Sequence, residues 1–178
     1  LKNRALLNMN CDWDIEKPTQ EYFDQLFRVS VNQVIWGGNY FNLPPTRGIA
    51  VWNKNQPWDN FSQCELAWTS FDYPAKLLTL SNRGGNNNEI KIHPTQKPVD
   101  LYKWVLKHYS KEGDNILDTH GGSRSLAIAC YDLGLDHVSC ELNLEYHNQS
   151  RERFDTHVAK YSAAAEIAVN NEGQGKLF

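Results

Sequence analysis

Residues 115–141 constrain this chain more than any other stretch. Ile116 and Leu117 form a short apolar strand that runs into Asp118 and then a turn holding Gly121 and Gly122. A helix-like run follows, and a second strand, His137 to Cys140, delivers Glu141 about 20 residues after the turn, as nucleotide-binding βαβ units do. Two strands built this way end at one crevice. Glycines there let the backbone come close to a ligand. Amides at the start of the helix can receive a carboxylate or phosphate, and Glu141 can accept hydrogen bonds from both ribose hydroxyls. The pattern suits a nucleoside without saying which.

Just upstream stands His93-Pro94-Thr95-Gln96-Lys97-Pro98, about 20 residues before Asp118 and followed by an amphipathic pattern in Tyr102, Val105, Leu106 and Tyr109. The two motifs together resemble the amino-group DNA methyltransferases that modify adenine or cytosine, in the permuted order that puts the catalytic region before the cofactor region. In that family H-P-x-x-K-P and I-L-D-P-F-x-G-S-G-T bind S-adenosylmethionine. The resemblance extends through Leu133-Gly134, Cys140-Glu141-Leu142-Asn143 and Glu145-Tyr146. It implies that His93, Lys97, Pro98, Asp118, His120, Gly121, Gly122, Ser123, Glu141 and Leu142 line the cofactor site. It also places Gly38, Asn39, Tyr40 and Arg83 toward the target base and the DNA.

Length and charge narrow the class. A chain of 178 residues with 40% hydrophobic and 12% aromatic content supports one sizeable core, read as a single domain. Strands alternating with helices imply an α/β sheet covered on both faces, and the resemblance implies a doubly wound, mostly parallel, Rossmann-like sheet of the S-adenosylmethionine-dependent methyltransferase type. The strand candidates are residues 5–9, 33–36, 49–52 and 66–69; Thr19 is placed to cap a helix carrying Phe23, Leu26 and Phe27, and another helix follows Ser123 with Leu126, Cys130 and Leu133 on one face. Residues 145–168 form a last helix. Trp36, Trp52, Trp68 and Trp104 read as core. The organisation is a catalytic and target side over residues 12–92, with a mobile, DNA-contacting loop near 82–91, a cofactor-binding half over 93–160, and a flexible tail over 169–178.

A formal charge of −3 provides no global basic surface, so double-stranded DNA must be met by a local patch, with Arg83 and Lys91 as its candidates. Cys11, Cys64, Cys130 and Cys140 show no C-x-x-C spacing, which argues against a metal site and suits a reducing cytoplasm; the resemblance implies a bacterial, phage or prophage setting. No apolar run reaches membrane-spanning length. A homodimer is open. The tail, with Gln174, Leu177 and Phe178, is similar to peptides that dock on the bacterial sliding clamp.

Three departures from the family pattern matter. The family's Asp/Asn-Pro-Pro-Tyr/Phe tetrapeptide, whose acceptors activate the amine while the aromatic stacks on the flipped base, does not occur; Asn42-Leu43-Pro44-Pro45-Thr46 is a loop look-alike, and the catalytic residues are therefore unknown. The pieces that flank that tetrapeptide, Leu6-Leu7-Asn8-Met9-Asn10-Cys11 and Asp12-Trp13-Asp14-Ile15, are adjacent, so a helix, a strand and the catalytic loop are expected to be missing between Cys11 and Asp12. If that junction is genuine, the chain should bind cofactor poorly or not at all and transfer no methyl groups. Arg124 replaces the last glycine of the family's Gly-Ser-Gly turn, its side chain either intruding on the cofactor or pointing to solvent, and His120 replaces an aromatic.

The resemblance implies transfer of a methyl group from S-adenosylmethionine to the exocyclic amine of adenine, ahead of cytosine. A catalytically inactive relative serving as a binding or assembly subunit is the alternative. A nicotinamide-dependent oxidoreductase would share the ribose-binding acid, but the G-x-G-x-x-G order is absent and residues 93–98 would have no role.

Overall fold

The structure is a computed structural model that describes residues 17–56, 60–82 and 90–174, with side chains as far as residue 163. It divides into two compact units, Leu1–Glu89 with Lys107–Tyr109, and Ile90–Leu106 with Ser110–Phe178. The strand expected over residues 5–9, the Cys11–Asp12 junction, Arg83 and residues 175–178 lie outside the described residues.

In the first unit α1 (Gln20–Val29) begins where the sequence places it, because the Thr19 hydroxyl accepts the Tyr22 amide at 3.4 Å. Its Phe23 is buried, packed against Phe41 with ring centroids 5.0 Å apart. Strands β1 (Val34–Trp36), β2 (Ile49–Asn53), β3 (Cys64–Thr69) and β4 (Lys76–Thr79) form one sheet in the order β1-β3-β2-β4. β3 runs antiparallel to both neighbours, while β2 and β4 are parallel. The short link from β2 to β3 leaves no room for a crossover helix, and antiparallel pairing is what such a link permits. Trp52 and Trp68 are buried as expected, and each indole N–H is satisfied, Trp52 donating to Leu80 O and Trp68 to Pro44 O, both at 2.7 Å. Trp36 and Trp104 are only half-buried.

α2 (Val99–Tyr109), which belongs to the second unit as far as Leu106, starts directly after Pro98, whose fixed φ of −63° leads into the helix. β5 (Asn115–Asp118), α3 (Ser125–Leu133) and β6 (Asp136–Ser139) form the right βαβ order, with β5 and β6 parallel and Asp118 opposite Ser139. α3 is apolar around much of its circumference, and Ala127, Ile128, Ala129 and Cys130 are all buried. Leu106, Ala129 and Cys130 centre a core onto which Val99, Tyr102, Ile116, Leu126, Leu133 and Leu135 pack. Burial, with Asp118 nearby, pushes the Cys130 thiol up to about 12, so it stays protonated as a core residue. Gly134 ends α3 in the left-handed conformation (φ 68°), as a glycine after a helix commonly does. α4 (Leu144–Gln174) completes the unit. The architecture is α/β, with parallel strands where the nucleotide motif predicts them. Among the described residues no helix is long and apolar enough to cross a membrane.

Candidate cofactor site

Asp118 is the last residue of β5, and Glu141 lies two residues beyond β6. Because the strands are parallel and in register, both carboxylates reach the same end of the pair. Backbone hydrogen bonds stitch that end together: Cys140 N donates to Asp118 O at 2.8 Å, and Gly121 N to Cys140 O at 2.7 Å. A β-carbon on Gly121 would sit 2.4 Å from the Ser139 hydroxyl and 3.1 Å from Cys140 O, so any larger residue would force Ser139 to turn away where the turn meets β6.

The Glu141 carboxylate is held at both oxygens. Oε2 accepts the Gly122 amide and Oε1 the Asn143 amide, each at 2.8 Å. A carboxylate has about four acceptor sites, so one remains on each oxygen for a pair of vicinal hydroxyls. Asp118 Oδ1 accepts the His120 amide at 3.1 Å. Its pKa is raised: burial is the main cause, the His120 amide and ring oppose it, and the neighbouring Glu141 charge adds to it. The two carboxylates therefore lie at the same end of the strand pair, close enough for one charge to act on the other.

Other predicted residues converge here. His93 is buried against Tyr146, ring centroids 4.4 Å apart, and its ring lies 3.7 Å from where a side chain on Gly122 would begin. Its Nδ1 lies 3.3 Å from the Thr95 amide, which donates to it, and 3.1 Å from the Thr95 hydroxyl. Burial lowers its pKa, the Glu141 charge opposes this and Lys97 reinforces it, so the imidazole is neutral at pH 7. Lys97 is half-buried and close enough for that effect; Pro98 is buried at the start of α2. His120 is exposed, its Nδ1 2.9 Å from the Thr119 hydroxyl, and Leu142 stands fully in solvent. Ser123 is buried with its hydroxyl 3.0 Å from that of Ser125.

Two expectations are refined. The amides of Gly121, Gly122 and Arg124 are engaged within the protein, to Cys140 O, Glu141 and Gly121 O, so they are not the ones left to receive an anion. Arg124 does not point freely to solvent: it occupies the left-handed region (φ 57°) at the start of α3, and its Nη2 lies 3.3 Å from His147 Nδ1 on α4. Three contributors escaped the sequence reading. Gln96 is buried and bridges Ile92 N and Ile90 O, shaping the segment before α2. Thr95 orients His93, and Arg153 reaches Ser123 from α4. The polar residue inside the His-Pro-x-x-Lys-Pro match was a signal for Gln96; Arg153 had none.

The target-side candidates separate. Gly38 is buried, and a β-carbon there would lie 2.4 Å from Trp68 Cβ and 3.0 Å from Trp68 N, so its lack of a side chain is a packing requirement. Gly38→Ala is expected to lower the unfolding free energy by about 2 kcal/mol, read from urea denaturation; an unchanged midpoint would show that the turn relaxes. Asn39 and Tyr40 are exposed on the short turn (Gly38–Tyr40) after β1, Tyr40 with 68% of its surface accessible. Among the described residues no cluster of His, Cys, Asp or Glu could hold a metal ion.

A model of the DNA methylase family of N6/N4 type matches residues 10–152. The type II methyltransferase M.HpaI of Haemophilus parainfluenzae is 35% identical over 83 residues, 47% of this chain and 26% of that protein. The DNA adenine methyltransferase YhdJ of Escherichia coli (strain K12) is 35% identical over 132 residues, 74% of this chain and 42% of that protein. This chain thus spans less than half the length of either relative. The solved PvuII DNA methyltransferase (cytosine-N4-specific) shares the fold with a TM-score of 0.50 at 18% identity, over 65% of this chain and 56% of its own. With the family model covering most of its length, this chain belongs to the DNA methylases that modify the amino group of adenine or cytosine.

Proposed function

We propose that this chain supplies the S-adenosylmethionine site of an enzyme that methylates the exocyclic amine of adenine in double-stranded DNA. The observation that carries the reading is Glu141, braced at both oxygens, at the same end of two parallel strands as Asp118 and close enough for its charge to act on that carboxyl. Family membership supports the cofactor. The match to a relative named as an adenine methyltransferase over 74% of this chain supports adenine over cytosine.

In this reading Glu141 accepts the ribose hydroxyls, with Asp118 beside it. Gly121 and Gly122 let the backbone approach, with Ser123 completing the turn. Leu142 and His120 offer exposed surface to flank the base of the nucleoside, and neutral His93 with Lys97 and Pro98 backs the turn. The cofactor supplies an already activated sulfonium methyl group, so positioning is the main task left to the protein. Asn39 and Tyr40 are assigned to the target-base side, and Arg83 to a DNA phosphate. The acceptors that activate the amine are assigned to a segment that a longer parent carries between Cys11 and Asp12. A second reading, a catalytically silent relative, is favoured by one observation: the tetrapeptide is absent from the sequence.

Calorimetry with S-adenosylmethionine and with NAD, followed by tritiated methyl transfer to DNA, tests this. With the parent segment present, the expected result is binding of S-adenosylmethionine in preference to NAD and label on adenine; without it, binding is expected to be weaker and no label is transferred. Preference for NAD, or no binding of either, would sink the proposal; a parent gene that runs continuously through Cys11-Asp12 and yields no transfer would establish the silent relative.

A further inference from the structure

We propose that Arg153, on α4, is a positioning residue for the turn at Gly121–Arg124 and thereby sets its affinity for the cofactor. The inference rests on the preceding reading that this turn holds S-adenosylmethionine. Arg153 Nη1 donates to Ser123 O at 2.6 Å and to the Ser125 hydroxyl at 3.2 Å, and Ser125 is itself buried and paired with the buried Ser123 hydroxyl. Charge-assisted bonds of this kind are roughly twice as strong as neutral ones.

What the bond accomplishes follows from the planarity of the peptide. Ser123 C=O and Arg124 N–H belong to one trans unit and point in opposite directions. Arg153 takes the carbonyl end; the amide end donates to Gly121 O at 2.7 Å and closes the turn. Pinning one end of the plane aims the other. The closed turn in turn presents Gly122 N–H to Glu141 at 2.8 Å, so the guanidinium on α4 is linked through one peptide plane to the ribose-binding carboxylate.

The turn needs such a hold. Gly122 and Arg124 both have positive φ, 49° and 57°, and a non-glycine residue in that region is strained. Ser123 O lies before the helix, outside its hydrogen-bond ladder, and would otherwise be a buried acceptor to satisfy. Helix electrostatics do not explain the arrangement, since a cation beside a helix N-terminus is disfavoured by the helix dipole. The carbonyl and hydroxyl contacts must outweigh that cost.

The test uses the whole chain with Arg153→Met and Arg153→Lys. Without ligand, amide exchange at Gly122 and Arg124 is expected to quicken about tenfold in Arg153→Met while the amides of β5 and β6 keep their rates. The dissociation constant for S-adenosylmethionine is expected to rise about tenfold. Arg153→Lys keeps the charge without the planar fork and should recover part of both effects; if Arg153→Met does not fold, the lysine variant carries the test through its smaller shifts. Turn amides as slow as in the unaltered chain, or loosened equally with the strands, would overturn the proposal. Quickened exchange in the variant, with no S-adenosylmethionine binding by the unaltered chain, would overturn the cofactor reading and with it the claim on affinity, while the brace itself would stand.

Discussion

Replacing Glu141 by alanine is expected to weaken S-adenosylmethionine binding at least about 100-fold and to lower the unfolding free energy by about 2–3 kcal/mol. Both losses have the same origin. The carboxylate now accepts the Gly122 and Asn143 amides at 2.8 Å each, joining the turn after β5 to the start of α4. Alanine leaves both donors without that partner and removes the acceptors assigned to the ribose. Glu141→Gln, with one oxygen replaced by a donor, should fall between the two. Calorimetry gives the affinity and urea denaturation the stability. An alanine variant that binds as tightly as the unaltered chain would show that the nucleoside is held elsewhere.

The second large effect concerns Asp132, on α3, where Lys103 from α2 and His157 from α4 converge. Lys103 Nζ and His157 Nε2 each lie 2.6 Å from a different carboxylate oxygen, and the Asp132 side chain is only 7% exposed. Removing one member of a buried ionic cluster strands its partners. Here both partners are about one-third exposed and recover some hydration, so Asp132→Ala is expected to cost about 2–3 kcal/mol rather than the upper range for fully buried pairs. Burial by itself opposes ionisation of Asp132, but the hydrogen bonds and charges of Lys103 and His157 outweigh it, and the carboxyl titrates below the usual aspartate range. A depressed folded-state pKa stabilises above the unfolded value of about 4, and that contribution disappears as pH falls through the folded value. Acid titration of stability should therefore show a steeper loss below about pH 4 in the unaltered chain than in the variant. Equal slopes would mean that the cluster contributes no net ionic stabilisation.

What could be read from sequence divides by the range of the forces involved. The Thr19 cap, the helix after Pro98 and the βαβ unit are local, set by neighbours within a few residues, and they stand where periodicity and capping put them. Strand β4, with Lys-Leu-Leu-Thr, was invisible because it has neither apolar alternation nor a run of β-branched residues; its partner, β2, lies more than 20 residues away. Gly38 reads equally well as a binding turn or a packing turn until Trp68 is seen against it. The direction of Arg124 and the reach of Arg153 to Ser123 depend on where α4 lies, and no spacing in the chain encodes that. The position of Glu141 just past β6 was legible because the motif fixes its distance from the glycines, whereas its two amide partners were not.

The three described cysteines differ in a way that gives the experimenter a handle. Cys130 is sealed in the core as a thiol, whereas Cys64 and Cys140 are exposed. Cys140 is bonded through its backbone to both Asp118 and Gly121 and immediately precedes Glu141. With Cys11 and Cys64 replaced by serine, a maleimide fluorophore would attach at Cys140 alone, and its emission would test, without any radioactive substrate, whether S-adenosylmethionine binds beside Glu141 as proposed.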